Sequence, residues 1–225
     1  MKSIILSTKL TIDKYKKINF IIDEDLSNYV NKLDLNILPL HIKRNKIDIK
    51  NLRQANGLIL SGGGDLYRYK KNKINKIRDT IEKKLFNYFF KKNLPILLIC
   101  RGFQLMIDMH NIKLYKQKNH VRKFHLLNLS KSRFLKYSKL SVNSYHNYSI
   151  KDLPVNYINV ANTNDGSIEI AEHKTKKILG LIFHPERKML SEKLILKSIR
   201  NFFKWDYYYL PLAKVHVFLI KLKKI

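Results

Sequence analysis

The sequence has a single cysteine, Cys100, among its 225 residues. One cysteine excludes an internal disulfide and a zinc site built from cysteines, and it favours a reducing compartment. Long apolar runs are also missing, because no stretch approaches the ~20 residues that a helix needs to span a bilayer. The apolar part of residues 1–7 is too short for a signal peptide, and we interpret it as a first strand. These absences predict a cytoplasmic protein without a membrane span.

Acidic residues are scarce, with 17 Asp and Glu against 45 Lys and Arg, so the formal net charge is +28. Such a balance suits a polyanionic partner, namely nucleic acid, a nucleotide or an anionic membrane. The lysines, however, are scattered among Ile, Asn, Tyr and Phe along the whole chain, and no nucleic-acid-binding motif accompanies them. Nucleic acid is therefore not the expected main partner, whereas an anionic small substrate is compatible with this charge.

Apolar strands alternate with amphipathic helices in the first half of the chain, and 45% of the residues are hydrophobic. The predicted helices cover residues 23–33, 77–91, 101–110 and 191–204, while residues 11–19 and 67–76 are interpreted as polar or basic loops. Short strands between residues 112 and 182, including a hairpin turn at Asp165-Gly166, follow. This order predicts an α/β sandwich with a mostly parallel central sheet, helices on both faces and an antiparallel strand extension.

The predicted domain covers residues 1–204, a length that suits one well-packed core. Residues 205–225 form an apolar-aromatic and then basic tail. We interpret the tail as an extra element packed on the domain or as a dimer contact, with a membrane-surface helix as the alternative.

Cys100 lies where a fully apolar strand, residues 94–99, runs into a Gly-containing turn and an apolar-periodic helix. A sharp turn of this kind presents a nucleophile above a sheet, and the positive end of the helix dipole favours its thiolate. Lone buried cysteines are usually inert core residues. The nucleophile hypothesis therefore needs a base and an oxyanion site elsewhere in the chain.

Two further segments supply those parts. The third predicted strand runs into Ser61-Gly62-Gly63-Gly64, whose backbone N–H groups can approach a ligand closely. The last predicted strand ends in His184-Pro185-Glu186, in which a carboxylate can orient an imidazole. All three segments end predicted strands, where α/β folds bind ligands. Nucleophile, base with its orienting acid, and oxyanion donors together indicate acyl transfer.

Several motifs make the chain similar to a known superfamily. They are residues 99–104 (ICRGFQ), 183–186 (FHPE), 60–63 (LSGG), 94–96 (LPI) and 143–146 (NSYH), with Arg78, Asp79 and Glu82. They resemble the class I glutamine amidotransferase-like superfamily, and within it the free-standing γ-glutamyl hydrolase branch. Residues 60–66, residues 119–121 and His125 look most like the γ-glutamyl-CDP-amidate hydrolases of capsular polysaccharide phosphoramidate biosynthesis. Leu98 departs from the pattern, because the superfamily usually has glycine there.

The resemblance implies a flavodoxin-like fold, no metal, no organic cofactor and a small, nucleotide-linked γ-glutamyl amide as substrate. It also implies roles for individual residues. Cys100, His184 and Glu186 would be the catalytic residues; Gly62, Gly63, Arg101, Gln104, Ser144, Tyr145 and His146 would form the oxyanion and substrate-binding group; His120 and His125 would contact the leaving group.

Three other functions stay open at this point. The chain is also compatible with a hydrolase of γ-glutamyl-aminobutyrate type, since only the leaving group differs. It is compatible with a glutaminase subunit that passes ammonia to a synthetase. A catalytically silent, basic nucleic-acid-binding protein is the alternative from another class. The resemblance leaves a homodimer open as well.

Overall fold

The computed structural model describes residues 1–40, 42–43, 46–47, 52–117 and 120–204. The predictions for Asn119 and for the tail after residue 204 fall outside these residues. The helices are α1 (Glu24–Lys32), α2 (Lys73–Lys91), α3 (Arg101–Met109) and α4 (Glu192–Lys204). The strands are β1 (Lys2–Leu6), β2 (Lys9–Ile12), β3 (Ile18–Ile21), β4 (Leu35–Leu38), β5 (Ile42–Lys43), β6 (Lys46–Ile47), β7 (Gly57–Leu60), β8 (Ile96–Ile99), β9 (Tyr115–Lys116), β10 (Val121–Asn128), β11 (Lys139–Tyr145), β12 (Tyr148–Ser149), β13 (Tyr157–Asn162), β14 (Ile168–His173) and β15 (Ile178–Leu181).

The central sheet has seven strands in the order β13-β14-β15-β8-β7-β1-β4. Strands β15, β8, β7, β1 and β4 run parallel to one another, whereas β13 and β14 extend the sheet in antiparallel pairing. The predicted sheet is therefore confirmed. Because β15, β8 and β7 are adjacent and parallel, the residues that follow them meet at one edge, and these residues include His184, Cys100 and Gly62.

Both faces of the sheet are covered, as the fully apolar strands require. Side chains that alternate along the strands divide into two cores. Ile59 and Leu97 pack with apolar residues of α1 and α4, while Leu58 and Leu98 pack with those of α2 and α3. The predicted helices on both faces are thus confirmed. Among the described residues, no helix is at once long and apolar enough to cross a bilayer.

Leu98, the departure from the superfamily pattern, is fully buried in the core beneath α2 and α3. Its neighbour across the sheet is Gly180, and the ring of Phe103 fills the space where a Gly180 side chain would lie. The larger residue at position 98 is therefore accommodated by the core.

Some predicted boundaries were wrong. The polar segment 11–19 was expected to be a loop, but most of it lies in the β2–β3 hairpin, whose turn is held by the Asp13 carboxylate accepting bonds from the N–H groups of Tyr15 and Lys17. Helix α2 begins at Lys73 instead of residue 77, because the Asn72 side chain accepts a hydrogen bond from the Asn75 N–H at 2.8 Å and caps it.

Candidate active site

Cys100 occupies a strained corner between β8 and α3. Its backbone angles are φ 46° and ψ −100°, a left-handed conformation that is costly for a residue with a side chain. The Cys100 carbonyl accepts the hydrogen bond from the Gln104 N–H that starts the helix. The thiol is free and only 6% of the residue is exposed. The corner has the form of a nucleophile elbow, as the sequence predicted.

Glycines at two positions allow the strand ends to approach each other. A Cβ atom on Gly102 would lie 2.5 Å from the Leu60 carbonyl oxygen, so only glycine lets α3 pack this closely on β7. A Cβ atom on Gly62 would lie 2.5 Å from Cε1 of His184 and 3.3 Å from Cβ of Cys100. The bare backbone at Gly62 therefore lies directly against both side chains.

His184 is held through its backbone and through its ring. The Asn143 side chain accepts a hydrogen bond from the His184 N–H at 3.0 Å and donates one to the His184 carbonyl at 2.8 Å. The His184 ring places Nδ1 2.6 Å from Oε1 of Glu186. These contacts fix both the position of the backbone and the orientation of the imidazole.

The charges around His184 favour its protonated form. Burial alone would lower the pKa of His184, but the negative charge of Cys100 and the hydrogen bonds to Cys100 and Glu186 outweigh it and raise the pKa to about 10. The ring therefore interacts with the sulfur on one side and the carboxylate on the other. This arrangement can hold a thiolate and an imidazolium together.

Beneath the glycine loop lies a buried network of two arginines and two acids. Arg78 donates hydrogen bonds to the carbonyl oxygens of Ser61, Gly62 and Gly63 at 3.2, 3.0 and 2.6 Å. Its Nε atom pairs with Glu82 at 2.9 Å. The loop is thus anchored through its carbonyl groups.

Glu82 also pairs with Arg101, whose other terminal nitrogen pairs with Asp79. Burial works against ionisation of Glu82, but the charges of Arg101 and Arg78 prevail and lower its pKa. The Arg101 side chain is 1% exposed and committed to this network. Only its backbone, at the start of α3, can serve the oxyanion role that the resemblance implies.

The other substrate-binding residues that the resemblance implies lie mostly under the surface. Gln104 Nε2 donates to the Tyr148 carbonyl at 3.0 Å, and Nδ1 of His146 lies 3.1 Å from the same oxygen. The Ser144 hydroxyl donates to the His120 carbonyl at 2.6 Å. Tyr145 is half-buried, and its ring meets the His184 ring edge-on with centroids 6.0 Å apart. Of these side chains, Tyr145 is the one that lies against the triad.

His120 and His125 belong to a second cluster, together with His146, Asp165 and Glu169. Nε2 of His120 lies 2.8 Å from Oδ2 of Asp165, and its Nδ1 lies 3.4 Å from Nε2 of His146. Nδ1 of His125 lies 3.4 Å from Oε1 of Glu169. Sequence reading assigned no site role to Asp165 or Glu169, because their partners are distant in the chain; His120 and Asp165, for example, are 45 residues apart.

The β2–β3 hairpin places a cation next to the glycine loop. The aliphatic end of the Lys9 side chain lies directly over Gly63, and its ammonium group is 2.5 Å from a carboxylate oxygen of Asp23. Sequence reading missed this lysine because it assigned no strand there. The hairpin brings a positive charge to the mouth of the crevice beside His184.

Comparison with known proteins agrees with this geometry. The family model described as Peptidase C26 matches residues 11–186. A γ-glutamyl-CDP-amidate hydrolase from Campylobacter jejuni is 34% identical over 151 residues, covering 67% of this chain and 71% of that protein. The glutamine-hydrolysing GMP synthase of Picrophilus torridus has a chain that is 27% identical over 157 residues, covering 68% of this chain and 77% of its own length.

Solved structures show the same fold. A glutamine amidotransferase from Thermotoga maritima superposes with a TM-score of 0.66 over 91% of this chain and 99% of its own, at 15% identity. At that identity the likeness concerns the fold alone. The family match and the relative from Campylobacter jejuni carry the functional class, so the chain is a hydrolase of carbon–nitrogen bonds and belongs to the Peptidase C26 family of class I glutamine amidotransferase-like proteins.

Proposed function

We propose that the chain hydrolyses a γ-glutamyl amide through a Cys100–His184–Glu186 triad, and that its substrate is γ-glutamyl-CDP-amidate. The observation that carries the triad is the position of the His184 ring, which bonds to Glu186 at 2.6 Å and has its pKa raised by Cys100. A nucleophile, a base and a carboxylate that orients the base are then in contact, as nucleophilic acyl transfer requires.

In the first step the Cys100 thiolate attacks the γ-glutamyl carbonyl carbon. The negative charge moves to the carbonyl oxygen, where backbone N–H groups stabilise it. We assign that role to N–H groups of the glycine loop near Gly63 and of Arg101 at the start of α3. Arg78 supports this assignment, because it engages the loop's carbonyl groups on one side and leaves the amide edge for a ligand.

In the second step His184 donates its proton to the leaving nitrogen, the C–N bond breaks and a thioester remains. Acylation removes the negative charge on sulfur that helped to raise the pKa of His184, so the ring releases its proton more easily at this stage. The neutral ring then takes a proton from water, and the resulting hydroxide cleaves the thioester. Glutamate leaves, and thiolate and imidazolium are restored.

The choice of substrate rests on the relative and on charge. The relative from Campylobacter jejuni is a γ-glutamyl-CDP-amidate hydrolase, and a diphosphate leaving group suits a chain of net charge +28 with Lys9 over the glycine loop. We further propose that the enzyme works in the cytoplasm on capsular polysaccharide precursors, where Cys100 stays reduced. Gln104 and residues 144–146 would form the wall for the glutamyl group.

A glutaminase component of a larger enzyme is the second candidate, because the GMP synthase chain from Picrophilus torridus covers most of the same domain. Such a component would hydrolyse glutamine and would need a synthetase partner for full activity. The γ-glutamyl-CDP-amidate proposal requires neither.

The test is mass spectrometry of products from γ-glutamyl-CDP-amidate, γ-glutamyl-aminobutyrate and glutamine, using the wild-type chain and C100A. We expect glutamate and cytidine diphosphoramidate from the first substrate at a kcat/KM at least about 100-fold above the other two, and no turnover by C100A. Equal rates on all three substrates would contradict the substrate assignment. Full activity in C100A would contradict the triad.

A further inference from the structure

The second histidine cluster joins three segments that are distant in the chain. His120 lies just before β10, His146 just after β11 and Glu169 on β14. All three side chains are buried, with exposures of 6%, 0% and 0%. Three donor atoms, one from each residue, lie within 4.8 Å of one another. The chemistry proposed for Cys100 uses none of them directly.

The ring nitrogens that face each other in this cluster carry lone pairs. Nδ1 of His146 lies 3.1 Å from the Tyr148 carbonyl oxygen, which can only accept, so the proton is on Nδ1 and Nε2 is bare. Nε2 of His120 lies 2.8 Å from the Asp165 carboxylate, so its proton is on Nε2 and Nδ1 is bare. Two bare nitrogens then face each other at 3.4 Å, an arrangement that a cation between them would stabilise.

The carboxylate beside these nitrogens is also unsatisfied. Neither oxygen of Glu169 has a hydrogen-bond partner within the described part of the chain, although the residue is completely buried. Nδ1 of His125, likewise without a hydrogen-bond partner there, lies 3.4 Å from Oε1 of Glu169. A buried carboxylate without partners is costly unless a positive charge neutralises it.

The spacing of these atoms matches one metal geometry. Bonds of about 2.0–2.1 Å to zinc in a tetrahedron place neighbouring ligand atoms about 3.3–3.4 Å apart. The His120–His146, His146–Glu169 and His125–Glu169 atom pairs are separated by 3.4, 3.5 and 3.4 Å. The acid and the carbonyl behind the rings are the outer partners that zinc-binding histidines ordinarily have.

We propose that His120 Nδ1, His146 Nε2 and Glu169 Oε1 bind one Zn²⁺ ion and that His125 supplies the fourth donor. Four protein ligands and nearly complete burial make the site structural, since a catalytic zinc keeps an open position. The ion would fasten the β10–β11 hairpin to β14 at the antiparallel end of the sheet. The proposal differs from the expectation of no metal that the resemblance implies, and it does not rest on the triad.

The test is the zinc content of the purified full-length chain, measured by elemental mass spectrometry after dialysis against buffer without chelator. We expect one equivalent of zinc in the wild-type chain and less than about a tenth of an equivalent in H146Q and E169Q, since each loses a ligand. The matched control is H110Q, because His110 is an exposed histidine outside the cluster and its replacement should leave one equivalent in place.

A second measurement uses only the wild-type chain, in case the variants fail to fold. After removal of metal with a chelator, Co²⁺ alone is added, and we expect the intense visible absorption of tetrahedral cobalt to saturate at one equivalent. Zn²⁺ should displace this signal and raise the unfolding temperature of the chelator-treated chain. Wild-type protein without zinc and without a saturating cobalt signal would overturn the proposal, as would H146Q that keeps a full equivalent.

Discussion

Histidine meets a buried carboxylate in two regions of this molecule, and the two regions differ in stoichiometry. At the triad, one imidazole bonds to one acid at 2.6 Å and to one sulfur on its other side. At the cluster, the nitrogens of His125 and His146 lie 3.4 and 3.5 Å from one oxygen of Glu169. The first spacing is that of a strong hydrogen bond, whereas the second is too long for one.

The difference shows how the same residue types acquire different chemistry. A histidine with a donor bond to one acid keeps its other nitrogen for proton transfer. Histidines whose protons are held by outer acceptors direct their lone pairs inward and form a ligand set. The position of the second hydrogen bond on each ring, more than the identity of the residue, separates the two sites.

The largest expected effect separates the two histidine sites by exchange of variants. H184Q should lower kcat by about 10³-fold, because general acid–base catalysis contributes about 10²–10⁴-fold, and it should leave the zinc content unchanged. H146Q should abolish zinc binding and reduce kcat by much less. Steady-state kinetics and metal analysis of the same two preparations measure both outcomes. Zinc loss in H184Q would contradict the division into two sites.

The next effect concerns the support of the triad side, which depends on ion pairs and not on metal. E82Q should lower the free energy of unfolding by about 3 kcal/mol, because it leaves two buried arginines with fewer partners. The loss stays near this lower bound because Arg78 keeps its carbonyl partners and Arg101 keeps Asp79. Urea unfolding with chelator present measures it.

The matched control for E82Q is E192Q, which removes the exposed Lys32–Glu192 pair. Exposed pairs contribute about 0–1 kcal/mol, so E192Q should unfold almost like the wild-type chain. Equal destabilisation by both substitutions would show that the buried network has no special weight.

A smaller effect tests the outer partner of His120. D165N keeps the shape of the side chain but removes the charge that holds the Nε2 proton, so zinc affinity should fall by about 10–100-fold. Competition with a chromogenic chelator measures that affinity. Alkylation of Cys100 by iodoacetamide should proceed at the wild-type rate, and a slower rate would show that Asp165 acts on the triad.

The smallest effect is a shift along the pH axis. Because the pKa of His184 is raised from 6.5 to about 10, its protonated form contributes stability that is fully present below pH 6.5 and lost as pH rises through about 10. E186Q removes one cause of the raised pKa, so this loss should begin at lower pH. Urea midpoints of wild type and E186Q between about pH 6 and pH 11 measure the shift, and coincident curves would contradict it.

The parallel sheet and its functional edge could be predicted from local sequence pattern. Residues 96–99 are a continuous apolar run before Cys100, and such a run has few conformations other than a buried strand. The His184-x-Glu186 spacing is equally local. Because strands and helices alternate along the chain, the ends of these strands were expected to meet at one edge of the sheet.

The β2–β3 hairpin and the cluster could not be predicted in this way. The hairpin is mostly exposed, so its residues lack the apolar alternation that reveals a strand. His120, His146 and Glu169 come together only through the pairing of β10 with β11 and the position of β14. Their meaning depends on which ring nitrogen faces inward, and this orientation is a property of tertiary contacts.

The carbonyl oxygen of Tyr148 has a consequence for both regions. Gln104, one helical turn after Cys100, and His146 both donate to this single atom. A displacement of the imidazole would therefore move the acceptor on which the glutamine amide depends. Evolution at either location is constrained by the other, because a substitution that shifts one backbone oxygen alters two hydrogen bonds at once.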